Sequence, residues 1–145
     1  MTEVSFYTGA ADPLRTVVRL CAKALDAGKR LRIFTPDAAA TQTLGRRLWC
    51  DDPMGFLPHC RLDDQNAART PIWLDHAPEH FGQAEDAQLL INLAPEPAPF
   101  FARFERVLEV VGTAEAEVLS GRRRFRYYKE RGYMIHHHDL SKPAS

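Results

Sequence analysis

The strongest constraint in this sequence is the run Gln88-Leu89-Leu90-Ile91-Asn92-Leu93, in which apolar side chains follow one another almost without interruption. Neighbouring residues of a β-strand point to opposite faces, so such a strand is stable only when both faces are covered. This is the place of a central strand in a parallel sheet with helices on either side. The start of the chain supplies them. Glu3 to Thr8 alternates and is rich in β-branched and aromatic residues, which predicts a strand. Asp12-Pro13 is an N-cap followed by a first helical residue, and Leu14, Val17, Val18, Cys21 and Leu25 recur at helical spacing until Gly28 ends the run. Leu31 to Phe34 reads as a second strand. Pro36-Asp37 then opens a second helix carrying Leu44, Leu48 and Trp49, which Asp51-Asp52-Pro53 breaks. A β-α-β-α order with right-handed crossovers predicts an α/β, three-layer domain with a mostly parallel sheet of about five strands and helices on both faces.

From Cys60 to Asp86 the chain is polar and irregular, apart from Pro71-Ile72-Trp73-Leu74, which fits an edge strand. The Pro-rich segment beginning at Ala94 is a loop leading to a short helix around Phe100 to Phe104. Glu105 to Val111 reads as the last strand, ended by Gly112. Thr113 is the expected cap of a final helix running to about Gly132, with Glu115 and Glu117 at its start and basic residues toward its end, the sense the helix dipole favours. Residues 1–145 read as one domain, with the tail after Ile135 expected to fray.

Nineteen basic and nineteen acidic residues cancel, so any charge-driven recognition is local. Cys21, Cys50 and Cys60 are odd in number and contain no CxxC pair, which argues against a disulfide framework or zinc ribbon and fits a reducing cytoplasm. No signal-like start and no apolar run of about 18 residues is present, so no membrane association is expected. Thr8 to Pro13 lacks the glycines and lysine of phosphate-cradling loops, and there is no GxSxG or HExxH motif; no cofactor and no metal is implied. His136-His137-His138 would point alternately to opposite faces of a strand, a poor single metal site. His59 has no nucleophile or carboxylate near it in a motif and reads as structural.

The local charge is in Gly121 to Gly132, where Arg122, Arg123, Arg124, Arg126, Lys129 and Arg131 oppose one acid, Glu130. At 3.6 residues per turn Arg122, Phe125, Arg126 and Lys129 share a face, with Val118 in line before them. Cations beside a ring suit an acidic peptide ending in an apolar side chain or free carboxylate, and equally suit phosphates with stacked bases. A solvated helix whose Phe125 and Tyr128 pack on the sheet is the plain alternative. Trp49 and Phe56 flank a turn, where their rings either meet at a sheet edge or pack in the core.

In order and spacing these segments resemble the chi subunit of bacterial DNA polymerase III. The features are Val4-Ser5-Phe6-Tyr7, Gly28-Lys29-Arg30 before the second strand, Leu48-Trp49 ahead of Phe56-Leu57-Pro58-His59, Leu90-Ile91-Asn92-Leu93, Phe100 to Phe104 and Val107 to Val111. The closing Arg122-x-Arg124-Phe125-Arg126-x-Tyr128-Lys129-x-x-Gly132-Tyr133 is the most specific. The resemblance implies a Rossmann-like fold without a nucleotide site, and a non-catalytic adaptor. In that family chi pairs with psi of the clamp loader, and another surface binds the acidic C-terminal tail of single-stranded-DNA-binding protein, which ends in Pro-Phe with a free carboxylate. On the matching positions Arg122 would pair with that carboxylate, Trp49, Phe56, Val111 and Phe125 would shape an apolar pocket, and Arg126 would attract upstream aspartates. Phe125 stands where a tyrosine is common. Single-stranded DNA would then be met indirectly. Two other readings remain open: a direct single-stranded nucleic-acid binder using the same helix, and a small hydrolase or nucleotide-transferring enzyme using His59 or the His136 cluster.

Overall fold

The computed structural model of the protein describes residues 2–50, 59–61, 72–81 and 88–141. Its strands are β1 (Glu3–Ala10), β2 (Leu31–Phe34), β3 (His59–Arg61), β4 (Ile72–Asp75), β5 (Leu89–Asn92), β6 (Arg106–Gly112) and β7 (Met134–Asp139). The helices are α1 (Pro13–Asp26), α2 (Ala38–Cys50) and α3 (Glu115–Glu130). The strands form one sheet in the order β3-β4-β2-β5-β6-β1-β7, and every pairing is parallel. The run that opened the sequence reading is β5, fourth of seven, and Leu90 and Ile91 are both fully buried.

The described residues form seven strands where about five were expected. β3 lies outside β4, so Ile72–Asp75 is not an edge strand and all four of its residues are buried. The segment expected to fray after Ile135 is instead β7, aligned with β1 from Glu3↔Met134 to Thr8↔Asp139. Met-Ile-His-His-His-Asp has no marked apolar alternation, so nothing in its own sequence announces a strand; β1 supplies the ladder. Its residues do alternate in direction: Ile135 packs toward the α3 layer, while His138 stacks on Tyr7 at 4.6 Å on the other side.

Two cores flank the sheet. On one face Val17, Val18 and Cys21 of α1 and Leu44 and Leu48 of α2 pack on Leu31, Ile33, Leu74, Ile91 and Val110. α1 begins as predicted, with Pro13 in its first turn and the Asp12 carboxylate accepting from the Arg15 N–H at 3.3 Å. It ends before Gly28, whose φ of +70° is the left-handed conformation that favours glycine. Burial pushes the Cys21 thiol well above its ordinary range.

The other core is aromatic. Phe6, Phe34, Leu90 and Val107 are covered by Tyr128 of α3 and by Phe100, Phe101 and Phe104, which follow the Pro-rich loop. That segment holds the short helix expected there, a 3-10 helix over Phe101–Arg103. The cap of α3 also differs from expectation: Ala114 occupies it without a side-chain hydrogen bond, and Thr113 stands one residue too early. Glu115 and Glu117 still sit in the first turn, near the positive end of the helix dipole.

Candidate functional site

The rotation of α3 about its axis is fixed from beneath. Glu109, on β6, is fully buried, and three groups converge on its carboxylate. The Tyr128 hydroxyl donates to Oε2 at 2.6 Å, the Asn92 amide donates at 3.0 Å, and Arg124 Nε lies 2.9 Å from Oε1, off the line of its N–H. Burial pushes the Glu109 carboxyl above its ordinary range, against the pull of Arg124, Asn92 and Tyr128. Burial and the neighbouring Glu109 push the Tyr128 phenol up as well, so it stays protonated and keeps donating. Arg124 also donates to Ser120 Oγ at 2.6 Å, and Ser120 donates to the Pro95 carbonyl at 2.7 Å, tying α3 to the Pro-rich loop.

Arg124 and Tyr128 are one turn apart and both point inward. Arg122 and Arg126 therefore emerge about 160° away around the helix and are exposed. Between these faces lies the flank carrying Val118, Gly121 and Phe125. It meets the carboxyl ends of β1 and β6 in a cavity of about 520 Å³, lined also by Phe6, Val111 and His137, with Arg122 at its wall. Phe125 is half-buried and packs edge-on against Phe6, ring centres 5.4 Å apart. Gly121 brings helix and sheet together: a Cβ there would stand 2.8 and 2.9 Å from the two Val111 methyls. Arg122 has no ion pair or hydrogen bond among the described residues.

A second cavity of about 630 Å³ lies on the far side of Val111 and Gly112, against the starts of α1 and α2. Its charged lining is Asp12, Glu117 and Arg124, and Arg124 is already committed to Glu109. Asp12 pairs with Arg47 at 2.7 Å, and the hydrogen bond from Arg47 holds its carboxyl below the ordinary range. An anion is better served by the smaller cavity, where Arg122 is free and, among the described residues, no carboxylate lines the wall.

Of the residues singled out in the sequence, Arg122, Phe125, Val111 and Val118 line this one cavity. Arg126 is exposed one turn further along α3 and does not line it. Trp49 lies in the last turn of α2, in the helical layer across the sheet; its side chain, and all of Phe56, lie outside the described residues. The side chain of His59 on β3 does too. Arg124, counted in the sequence among the basic residues of the final helix, is buried, and Arg131 is occupied over the Tyr127 ring at 3.6 Å. Among the described residues no group of three His, Cys, Asp or Glu is placed to hold a metal, and no helix is long and apolar enough to cross a membrane.

A profile of the family described as DNA polymerase III chi subunit, HolC, matches residues 1–136. The chain belongs to the DNA polymerase III chi subunit family. A chi subunit of Pseudomonas aeruginosa is 34% identical over 146 residues, covering 98% of this chain and 99% of that protein. One from Haemophilus influenzae is 28% identical over 116 residues, 80% and 79% of the two chains. The crystal structure of T4 UvsW shares the fold, with a TM-score of 0.70 at 6% identity over 96% of this chain; the chain spans 41% of the UvsW chain. As a chi-family member the protein is an accessory subunit in DNA replication. Sequence reasoning missed His137 as a cavity residue of this chi-family chain, because the histidine run was weighed as a metal site or a catalytic acid/base and β7 was not foreseen.

Proposed function

We propose that this chi-family chain, read as one unit over residues 1–145, is a non-catalytic cytoplasmic adaptor of DNA polymerase III. It joins the clamp loader, through psi, to the acidic C-terminal tail of single-stranded-DNA-binding protein, and meets single-stranded DNA only through that protein. The observation that carries the reading is the unpaired Arg122 standing at the wall of a cavity whose other surfaces include Val111, Val118 and Phe125. A peptide ending in Pro-Phe offers both matching parts on its last residue, a ring for the apolar walls and a carboxylate for the guanidinium. Arg126, exposed one turn on, attracts the upstream aspartates. By the family resemblance, Trp49 and Phe56 are further candidates for contact with the apolar end of the peptide. The sequence has no phosphate-cradling loop, and no reaction is assigned to the chain.

The test is a titration of the purified protein with a short acidic peptide ending in Pro-Phe, with its C-terminus free or amidated. Arg122→Ala should weaken binding of the free-carboxylate peptide by about 2 kcal/mol, roughly thirtyfold, while changing stability by less than about 0.5 kcal/mol. Amidation should cost the parent a similar factor. Phe125→Ala should weaken binding by emptying the pocket and also lower the melting temperature, since the ring packs on Phe6. Arg123→Ala, about 100° around the helix from Arg122, should bind nearly as the parent does. If none of the three substitutions changes affinity, the tail binds elsewhere.

A further inference from the structure

β7 brings a histidine into the cavity that the arginine of α3 serves. Parallel pairing sets His137 opposite Phe6, on the α3 side of the sheet, while His136 lies by Glu3, 3.7 Å away, and His138 lies on Tyr7, both on the other side. His137 is exposed to solvent, lines the cavity together with Arg122, and has one ring nitrogen, Nε2, 2.7 Å from the Thr8 hydroxyl of β1. We propose that His137 is a second anion-holding group of this cavity and makes its occupancy by a carboxylate-ended peptide depend on protonation. This inference rests on the tail-binding reading above.

The neutral ring has one donor and one acceptor nitrogen, whereas the imidazolium donates from both. When protonated, His137 gives one N–H to Thr8 Oγ1, leaving the Thr8 hydroxyl hydrogen and the second ring N–H free to donate. A carboxylate entering beside Arg122 then meets two positive side chains instead of one. Thr8 of β1, whose hydroxyl is bonded to His137, and Arg122 of α3 line the cavity with it, and no carboxylate among the described residues does. On its own strand Asp139 lies two residues on, its Oδ1 accepting from the Ser141 N–H at 3.0 Å. An entering carboxylate favours the imidazolium. Proton uptake is therefore coupled to binding, and affinity rises as pH falls through the range in which an imidazole takes up a proton. Peptide aspartates, ordinarily near 3.9, stay ionised throughout that range.

The probe is the acidic peptide ending in Pro-Phe, titrated into the full chain between about pH 5.5 and 8 at fixed ionic strength. The parent should bind roughly three- to fivefold more tightly at the acid end, the size of effect one partly solvated ion pair supplies. His137→Gln, which keeps a hydrogen-bonding side chain but cannot titrate, should abolish that slope, and His138→Gln, across the sheet, should retain it. The His137 ring proton resonance should also shift when the peptide is added. A parent with no slope, or a slope that survives His137→Gln, overturns the inference. Arg122→Ala separates the two claims: if it weakens binding at every pH while His137→Gln leaves the slope intact, the site stands and the role of His137 falls. If Arg122→Ala binds as the parent does, both fall.

Discussion

Arg124 shows what a single residue can hide. In the run Arg122-Arg123-Arg124 nothing distinguishes the third cation from the first two, yet it is buried against Glu109 while Arg122 is exposed. Breaking a buried pair by removing one partner leaves the other charge unsatisfied, so Arg124→Met should destabilise the fold by about 3–5 kcal/mol. Tyr128→Phe deletes one of the donors to the same carboxylate and should cost about 1–2 kcal/mol. Urea denaturation of both, beside Arg122→Ala as an exposed neighbour, checks the ranking; a near-neutral Arg124→Met would mean that the network does not fix α3. The sequence does carry half of this information. Helical spacing groups Arg122 with Phe125 and Arg126 on one face and leaves Arg124 off it. What spacing cannot show is which acid waits beneath, because Glu109 sits in a strand whose apolar neighbours give no sign of a buried carboxylate.

Among the elements, those with strong periodicity were legible. β1, α1, β2, α2 and β5 all stand where apolar spacing and turn residues put them, and the central place of β5 follows from its being apolar on both faces. β7 was not legible, since its existence depends on the free edge of β1 and not on its own residues; one wall of the candidate site was missed with it. Two glycines extend the argument from placement to energetics. At Gly121 an added methyl would press on Val111 across the α3 and β6 contact. Overpacking of about 1–3 kcal/mol should outweigh the roughly 1 kcal/mol that alanine gains over glycine in a helix. Gly121→Ala should therefore lower the melting temperature and, because Val111 lines the cavity, weaken peptide binding too. Gly28 is the converse: open space surrounds it, but φ is +70°. Gly28→Ala should cost about 1 kcal/mol through the backbone alone and leave peptide affinity unchanged. Thermal melts and peptide titrations on the two variants separate the cases; loss of binding in Gly28→Ala would show that the cavity is sensitive to stability at large.

For the whole molecule the question is whether the basic helix holds nucleic acid itself. Net charge is zero, so no long-range field gathers a polyanion onto the protein, and attraction must come from α3. There the supply of cations is smaller than the sequence suggests: Arg124 is spent on Glu109 and Arg131 on Tyr127. Of the exposed remainder, Arg122, Arg126 and Lys129 share one face of α3 and Arg123 points off it, a row of cations only about two turns long. Stacking platforms are scarce for the same reason, since Tyr128 is buried, Phe125 is half-buried against Phe6, and Tyr127 lies under Arg131. Single-strand binders combine a continuous basic track with available rings, and both parts are weak here. Bare oligonucleotide at about 0.15 M salt should therefore bind far more weakly than the acidic tail peptide and should not displace it. Salt alone does not separate the two ligands, because screening weakens both; competition does. Fluorescently labelled peptide is held at half-saturation and challenged with unlabelled single strands. If the oligonucleotide displaces the peptide at comparable concentration and Arg122→Ala loses both ligands together, the α3 cavity is a nucleic-acid site and the adaptor reading gives way.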